Sequence, residues 1–201
     1  MHHVMLDLET MGKGPRAAIV SIGAVFFNPM TGELGAEFEA HIDLRDSAHF
    51  GEIDPDTVLW WLRQDNEARL AIACDQGGNR RLSLCEAVEE FEQWVAANGA
   101  GYHRVVRPYM WGNGAGFDCT IMASAYDALR KEGFTGTWNG FQDRDVRTVV
   151  DMGRDLLGFN PKKEMPFEGV AHTALADAKH QARYVSAIYQ RLATTCKGGE
   201  A

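Results

Sequence analysis

Apolar and polar positions along the chain change period several times, and each change marks an element. Residues 3–8 read as a strand. Its side chains alternate faces, so Leu6 and Leu8 point one way while Asp7 and Glu9 share the other near the strand's end. After the turn "GKGP", the run "AAIVSIGAVFF" (17–27) is apolar and β-branched and predicts a central strand. The turn "NPMTGE" (28–33) leads to "LGAEFEAHIDL" (34–44), which alternates like an outer strand. These three strands predict an antiparallel meander. The stretch "DPDTVLWWLRQ" (54–64) opens a helix with Asp54 as cap and Pro55 in the first turn. In "LSLCEAVEEFEQWVAAN" (82–98), Leu84, Val88, Phe91 and Val95 keep a helical period behind a capping box of Ser83 and Glu86.

The second half alternates strand and helix. "HRVVRPYMWG" (103–112) reads as a strand weakened by Pro108. "GFDCTIMASAYDALRKEG" (116–133) is a helix stopped by Gly133, "DVRTVVDMGRDLLG" (145–158) is another, and "HTALADAKHQARYVSAIYQRLA" (172–193) is the last and longest. The Pro- and Gly-rich segment 158–169 reads as a loop, and residues 196–201 as a frayed tail after one domain spanning 1–195. The pattern as a whole is mixed α/β.

Composition narrows the class without defining it. The chain has 201 residues, 45% hydrophobic and 24% charged, ordinary for one globular domain. No apolar run approaches the ~20 residues of a membrane span, and no secretory signal is visible. Cys74, Cys85, Cys119 and Cys196 form no CxxC pair, so the expectation is reduced thiols in a cytoplasm. Net charge is −8, from 28 acids and 20 bases, which argues against a broad basic surface for nucleic acid. It leaves room for a phosphate held through metal.

Four features carry chemistry. Asp7 and Glu9, about 5–7 Å apart on one strand face, repel each other, and partial burial makes this worse. Either they face open water or something positive lies between them. In "WGNGAGFDCTIM" (111–122), Asp118 falls in the first turn of a helix, where the dipole alone favours an acid. The GxGxG spacing there does not match a dinucleotide loop. In "AHTALADA" (171–178), Thr173 can cap the helix, leaving His172 on the loop and Asp177 one turn inside. The H-x4-D spacing itself says little, because His2–Asp7, His41–Asp46 and His49–Asp54 repeat it. In "RDVRT" (144–148), Arg144 and Arg147 suit either ion pairs with neighbouring acids or contact with phosphate.

The order D-x-E, D, H-x4-D, placed as Asp7, Glu9, Asp118, His172 and Asp177, resembles that of the DEDDh 3′–5′ exonucleases over about residues 3–190. More narrowly, "LDLETMG", "TVLWWLRQ", "WGNGAGFD", "RDVRT" and "HTALADA" look like the phage exonuclease A group, which includes mycobacterial-type exoribonucleases and prophage exodeoxyribonuclease VIII-like proteins. The resemblance implies a ribonuclease H-like fold: a mixed sheet, the antiparallel meander plus parallel strands, flanked by helices. It implies two Mg²⁺ or Mn²⁺ ions about 4 Å apart, with Asp7 bridging, Glu9 and Asp177 completing one site and Asp118 supporting the other. His172 takes the role of general base, and histidine's ordinary pKa of about 6.5 suits that work near neutrality. The implied substrate is the 3′ end of single-stranded DNA or RNA, and the product a nucleoside 5′-monophosphate. Thr10, Met11 and Gly12 are expected to line the terminal-nucleotide pocket, with Trp61, Trp111, Phe117 and Arg147 as further substrate contacts. Trp60 and Trp61 face different directions, so at most one meets substrate. Lys162 and Lys163 are candidate phosphate guides. A homodimer is expected by analogy. The alternative is a catalytically inactive nucleic-acid-binding module on the same scaffold.

Overall fold

A computed structural model describes residues 1–73, 81–99, 108–169 and 172–198. In chain order these form β1 (His3–Thr10), β2 (Ile19–Phe27), β3 (Leu34–His41), α1 (Leu44–Ser47), α2 (Pro55–Trp61), α3 (Asn66–Ala73) and α4 (Leu84–Asn98). There follow β4 (Tyr109–Gly112), α5 (Asp118–Lys131), a 3-10 turn at Gly140–Gln142, β5 (Asp143–Asp145), α6 (Val146–Leu157), α7 (Pro161–Glu164) and α8 (Ala174–Gly198). The strands form one mixed sheet in the order β3-β2-β1-β4-β5. β1, β2 and β3 pair antiparallel, whereas β4 joins β1 and β5 joins β4 in parallel.

Strand alternation sorts the core into two layers. Val4, Leu6 and Leu8 of β1 pack with Ile22, Ala24 and Phe26 of β2 against Val88 and Phe91 of α4 and Met122 and Tyr126 of α5. On the opposite face, Met5, Val25 and Phe27 meet Val149 and Val150 of α6 and Ala178, Ala182, Val185 and Ile188 of α8. β2 is buried along its whole length, as its unbroken apolar run requires.

The face that carries Met5 also carries Asp7 and Glu9. Opposite them in register stand Gly23 and Ser21. Side chains on β2 therefore shrink from Phe27 and Val25 to Gly23 toward the site. A Cβ at Gly23 would fall on the backbone of Ala174 and Leu175, at the start of α8. The missing side chain lets the helix's first turn lie directly on the sheet, and that turn carries Asp177.

Several boundaries differ from those the pattern predicts. Asp145, expected as the first residue of a helix, instead ends a short edge strand over Asp143–Asp145, where it caps α6 in extended conformation and accepts from Thr148 N. α1, α3 and α7 were not predicted; each is short, and Lys162 and Lys163 lie on α7 rather than on a loop. β4 is observed over Tyr109–Gly112, and the expected strand residues 103–107 lie outside the described residues. α8 continues through Gly198, so the expected tail begins as helix. Cys85, Cys119 and Cys196 are free thiols. No helix among the described residues is long and apolar enough to cross a membrane.

The close approach at Gly23 gives a direct test of this packing. Gly23→Ala is expected to lower stability by about 1–3 kcal/mol, the usual cost of overpacking, read by urea unfolding. An unchanged unfolding midpoint would show that α8 does not rest on β2 there.

Candidate active site

The acids converge at the carboxyl end of β1. Chain order in the sheet reverses between β1 and β4, and open α/β sheets bind ligands in the crevice at such a point. Asp7 and Glu9 enter from β1 and Asp177 from the first turn of α8. Each offers a carboxylate oxygen, and the three oxygens lie within 4.8 Å of one another. Asp118, buried at the start of α5, closes the cleft from the β4 side. Its Oδ1 accepts from Leu8 N at 3.2 Å and its Oδ2 from Asn113 N at 2.9 Å, so main-chain amides fix its orientation. Asp145 anchors the glycine loop that carries Asn113, its Oδ2 accepting from Ala115 N at 2.7 Å.

His172 stands at the lip of this cleft. Its backbone is left-handed, with φ at 62°, and its amide donates to Asp177 Oδ2 at 2.9 Å. The imidazole meets Trp60 edge to face, ring centres 5.3 Å apart at 86°. The backbone bond therefore ties the histidine to an acid of the cluster, while a tryptophan from α2 contacts its ring.

The site is electrostatically frustrated. Burial, then the charges of Asp118, Glu9 and Asp177, push Asp7 well above the usual carboxylate range, and the bond from Gln181 opposes them. Burial, then Asp177 and Asp118, push Glu9 up to about 8. Burial lifts Asp118 to about 7 against the pull of its backbone bonds. Asp177 is raised by burial too, against its bond from the His172 amide. Without cations, burial and mutual repulsion favour the protonated forms of these acids. An all-oxygen donor set of this density fits Mg²⁺ or Mn²⁺, and divalent charge would remove the frustration.

A second cleft of about 480 Å³ adjoins the acids, sharing Leu8, Glu9, Trp60 and Phe117 with them and extending past Thr10, Gly12 and Lys13. Thr10 and Gly12 line it, and Phe117 stands at the junction of the two clefts. Arg147 lines the acidic cleft and donates to Asn113 O at 3.1 Å. Arg144 instead lies over the ring of Tyr109, away from the acids, at 4.3 Å.

Two expected substrate contacts, Met11 and Trp111, lie in the core, and Trp61 lines the second cleft only as its floor. Met11 is buried with Ala18, Val20 and Trp61 beneath the cleft and does not line it. Trp61 is 4% exposed, and its indole N–H is spent on Thr10 O at 3.0 Å, so it forms the floor. Its neighbour Trp60, 41% exposed, is the tryptophan that faces both clefts. Trp111 lies in the core among Phe27, His3 and Tyr189, because its register opposite Met5 puts it on the α8 side of the sheet. The sequence reading also missed Gln181, which donates to Asp7 Oδ1 at 2.7 Å. Its position one turn after Asp177, on the same helix face, was an available signal. The Leu8 and Asn113 amides left none.

The mixed sheet, with acids gathered at the end of its first strand and closed by its last helix, has a ribonuclease H-like architecture. The family model described as the 3′-5′ exoribonuclease Rv2179c-like domain matches residues 2–189. The chain belongs to that family. It is 24% identical to an exodeoxyribonuclease of Enterobacteria phage T4, over 88% of this chain and 84% of that protein. Among solved structures, the nuclease domain of 3′hExo, a DEDDh family member bound to rAMP, superposes with TM-score 0.63 at 13% identity, covering 94% of this chain and 92% of that one. The Mg²⁺- and Mn²⁺-bound form of S. pombe Pop2p superposes with TM-score 0.55 at 13% identity, covering 94% and 83%.

The raised carboxyls set the pH dependence of the metal-free protein. The folded state keeps protons that the unfolded chain releases above about pH 4. Their contribution to stability is complete below that pH and is lost as pH rises through the folded values, about 7 for Asp118 and about 8 for Glu9. The Tm of EDTA-treated protein should therefore fall between pH 5 and pH 8. Added Mn²⁺ should raise Tm more at pH 8 than at pH 5, as thermal scans at both values would reveal.

Proposed function

We propose that the protein removes nucleotides singly from the 3′ end of single-stranded DNA or RNA, releasing nucleoside 5′-monophosphates, with two Mg²⁺ or Mn²⁺ ions and with His172 as general base. The observation that carries this reading is the convergence of Asp7, Glu9 and Asp177 with His172 bonded to the same acid. Asp7, Glu9 and Asp177 would hold the metal, with Asp118 supporting it from the β4 side. Bound divalent cations would supply positive charge to the reacting phosphate and to the attacking and leaving oxygens.

The chain's own groups divide the remaining work. Trp60 and Phe117 flank the junction of the two clefts and offer faces to the terminal base. Stacking of this kind accepts any base. Two donors beneath are already engaged: Thr10 Oγ1 donates to Gly12 O at 2.8 Å and Trp61 Nε1 to Thr10 O. Arg147 lines the acidic side and places a guanidinium near the phosphate path. An imidazole nitrogen of His172 takes the proton of the attacking water as that oxygen bonds to phosphorus. The bond from phosphorus to the 3′-oxygen of the preceding nucleotide breaks, and that oxygen leaves as a hydroxyl once protonated. The family description names RNA and the phage relative's name DNA, so both sugars are candidate substrates.

The deciding assay uses single-stranded DNA and RNA labelled at either end, with Mn²⁺ or with EDTA. A 5′ label should pass down a ladder of shortened products, a 3′ label should appear at once as mononucleotide, and EDTA should stop both. No cleavage of either polymer in Mn²⁺ would favour an inactive binding module. His172→Ala is expected to keep Mn²⁺ affinity and lose roughly 10²–10⁴-fold in kcat. Asp7→Asn should lose both metal affinity and turnover, by titration calorimetry and the same assay. Trp60→Ala should raise KM roughly tenfold, in line with one lost stacking contact.

A further inference from the structure

We infer that Gln181 is a positioning residue for Asp7, holding the carboxylate in the orientation that receives the metal; this rests on the reading of the acidic cleft as a metal-dependent nuclease centre. The side chain is 4% exposed, lies on α8 one turn beyond Asp177 and lines the acidic cleft. Its amide N–H donates to Asp7 Oδ1 at 2.7 Å, joining residues 174 positions apart in the chain. With Oδ1 engaged, rotation of the Asp7 carboxyl is restricted, and Oδ2 is left for another partner.

Two features separate this contact from ordinary packing between helix and strand. First, the donor is neutral. A lysine or arginine would relieve the repulsion among Asp7, Glu9 and Asp177 with an internal cation and so compete with the metal. An amide stabilises ionised Asp7 and leaves the net charge of the cluster for divalent ions. Secondly, the Gln181 carbonyl oxygen Oε1 is buried and accepts no hydrogen bond among the described residues. A buried acceptor without a donor costs stability, and a residue kept only for packing has no need of one. Water bound beside the cations would supply the donor that Oε1 lacks, while the N–H holds Asp7.

The test compares wild type, Gln181→Met, which keeps size and loses both polar atoms, and Gln181→Asn, which keeps the amide but shortens its reach. Mn²⁺ affinity is measured by calorimetry and by the metal-induced rise in Tm, alongside the Tm in EDTA. Gln181→Met should bind Mn²⁺ roughly 10–100-fold more weakly, the usual effect of removing a partner that orients a ligand. Its KM for oligonucleotide should stay within about twofold, and saturating Mn²⁺ should recover most of the lost kcat. Gln181→Asn should fall between the two, and it decides the matter if Gln181→Met does not fold. Unchanged Mn²⁺ affinity in a folded variant, with or without a lower Tm in EDTA, would overturn the positioning role and leave Gln181 as packing. Wild type that binds no Mn²⁺ and cuts neither polymer would instead overturn the nuclease reading itself.

Discussion

Everything in this molecule is arranged around the mutual repulsion of carboxylates at the end of β1. Asp7, Glu9 and Asp177 bring their oxygens within 4.8 Å, with Asp118 buried beside them. No fold gains stability from such a cluster by itself. The core must supply it, and it does so from two apolar layers, one on each face of the sheet. The strain is confined to the sheet's carboxyl edge, where it can be relieved from outside by cations. Neutral donors, the amides of Leu8 and Asn113 and the side chain of Gln181, orient the acids without discharging them.

The scaffold meets this constraint partly through subtraction. Along β2 the residues beneath α8 shrink from Phe27 to Gly23, so the helix comes closest to the sheet where its acid must reach β1. Along β1 the same alternation that buries Leu6 and Leu8 aims Asp7 and Glu9 at α8. Folding and site geometry are thus consequences of one register, and a shift of one residue in β1 would invert both.

Much of this could be read from the chain before its structure. The meander followed from period-two runs, the long helices from period 3.6 and their caps, and the acids from their order on predicted elements. What could not be read was direction. Trp60 and Trp61 are adjacent and chemically identical, and only the packing of α2 decides that Trp61 forms the floor while Trp60 faces the clefts. Trp111 looked like a site residue because it adjoins the glycine loop, yet its register with Met5 turns it into the core. Met11 follows the acid pair but sits just past the irregular pairing at Glu9 and Thr10, and its side chain goes beneath the cleft. β5 is three residues of charged sequence, held as a strand by its pairing with β4 and carrying no pattern of its own.

The bond between Gln181 and Asp7 spans 174 positions of the chain. The acids of β1 leave the ribosome well before the helix that completes their enclosure. A nascent chain therefore carries half a centre until His172 and Asp177 are made. Any product that stops short of that helix lacks the same two residues, so the site exists only in a chain made through α8.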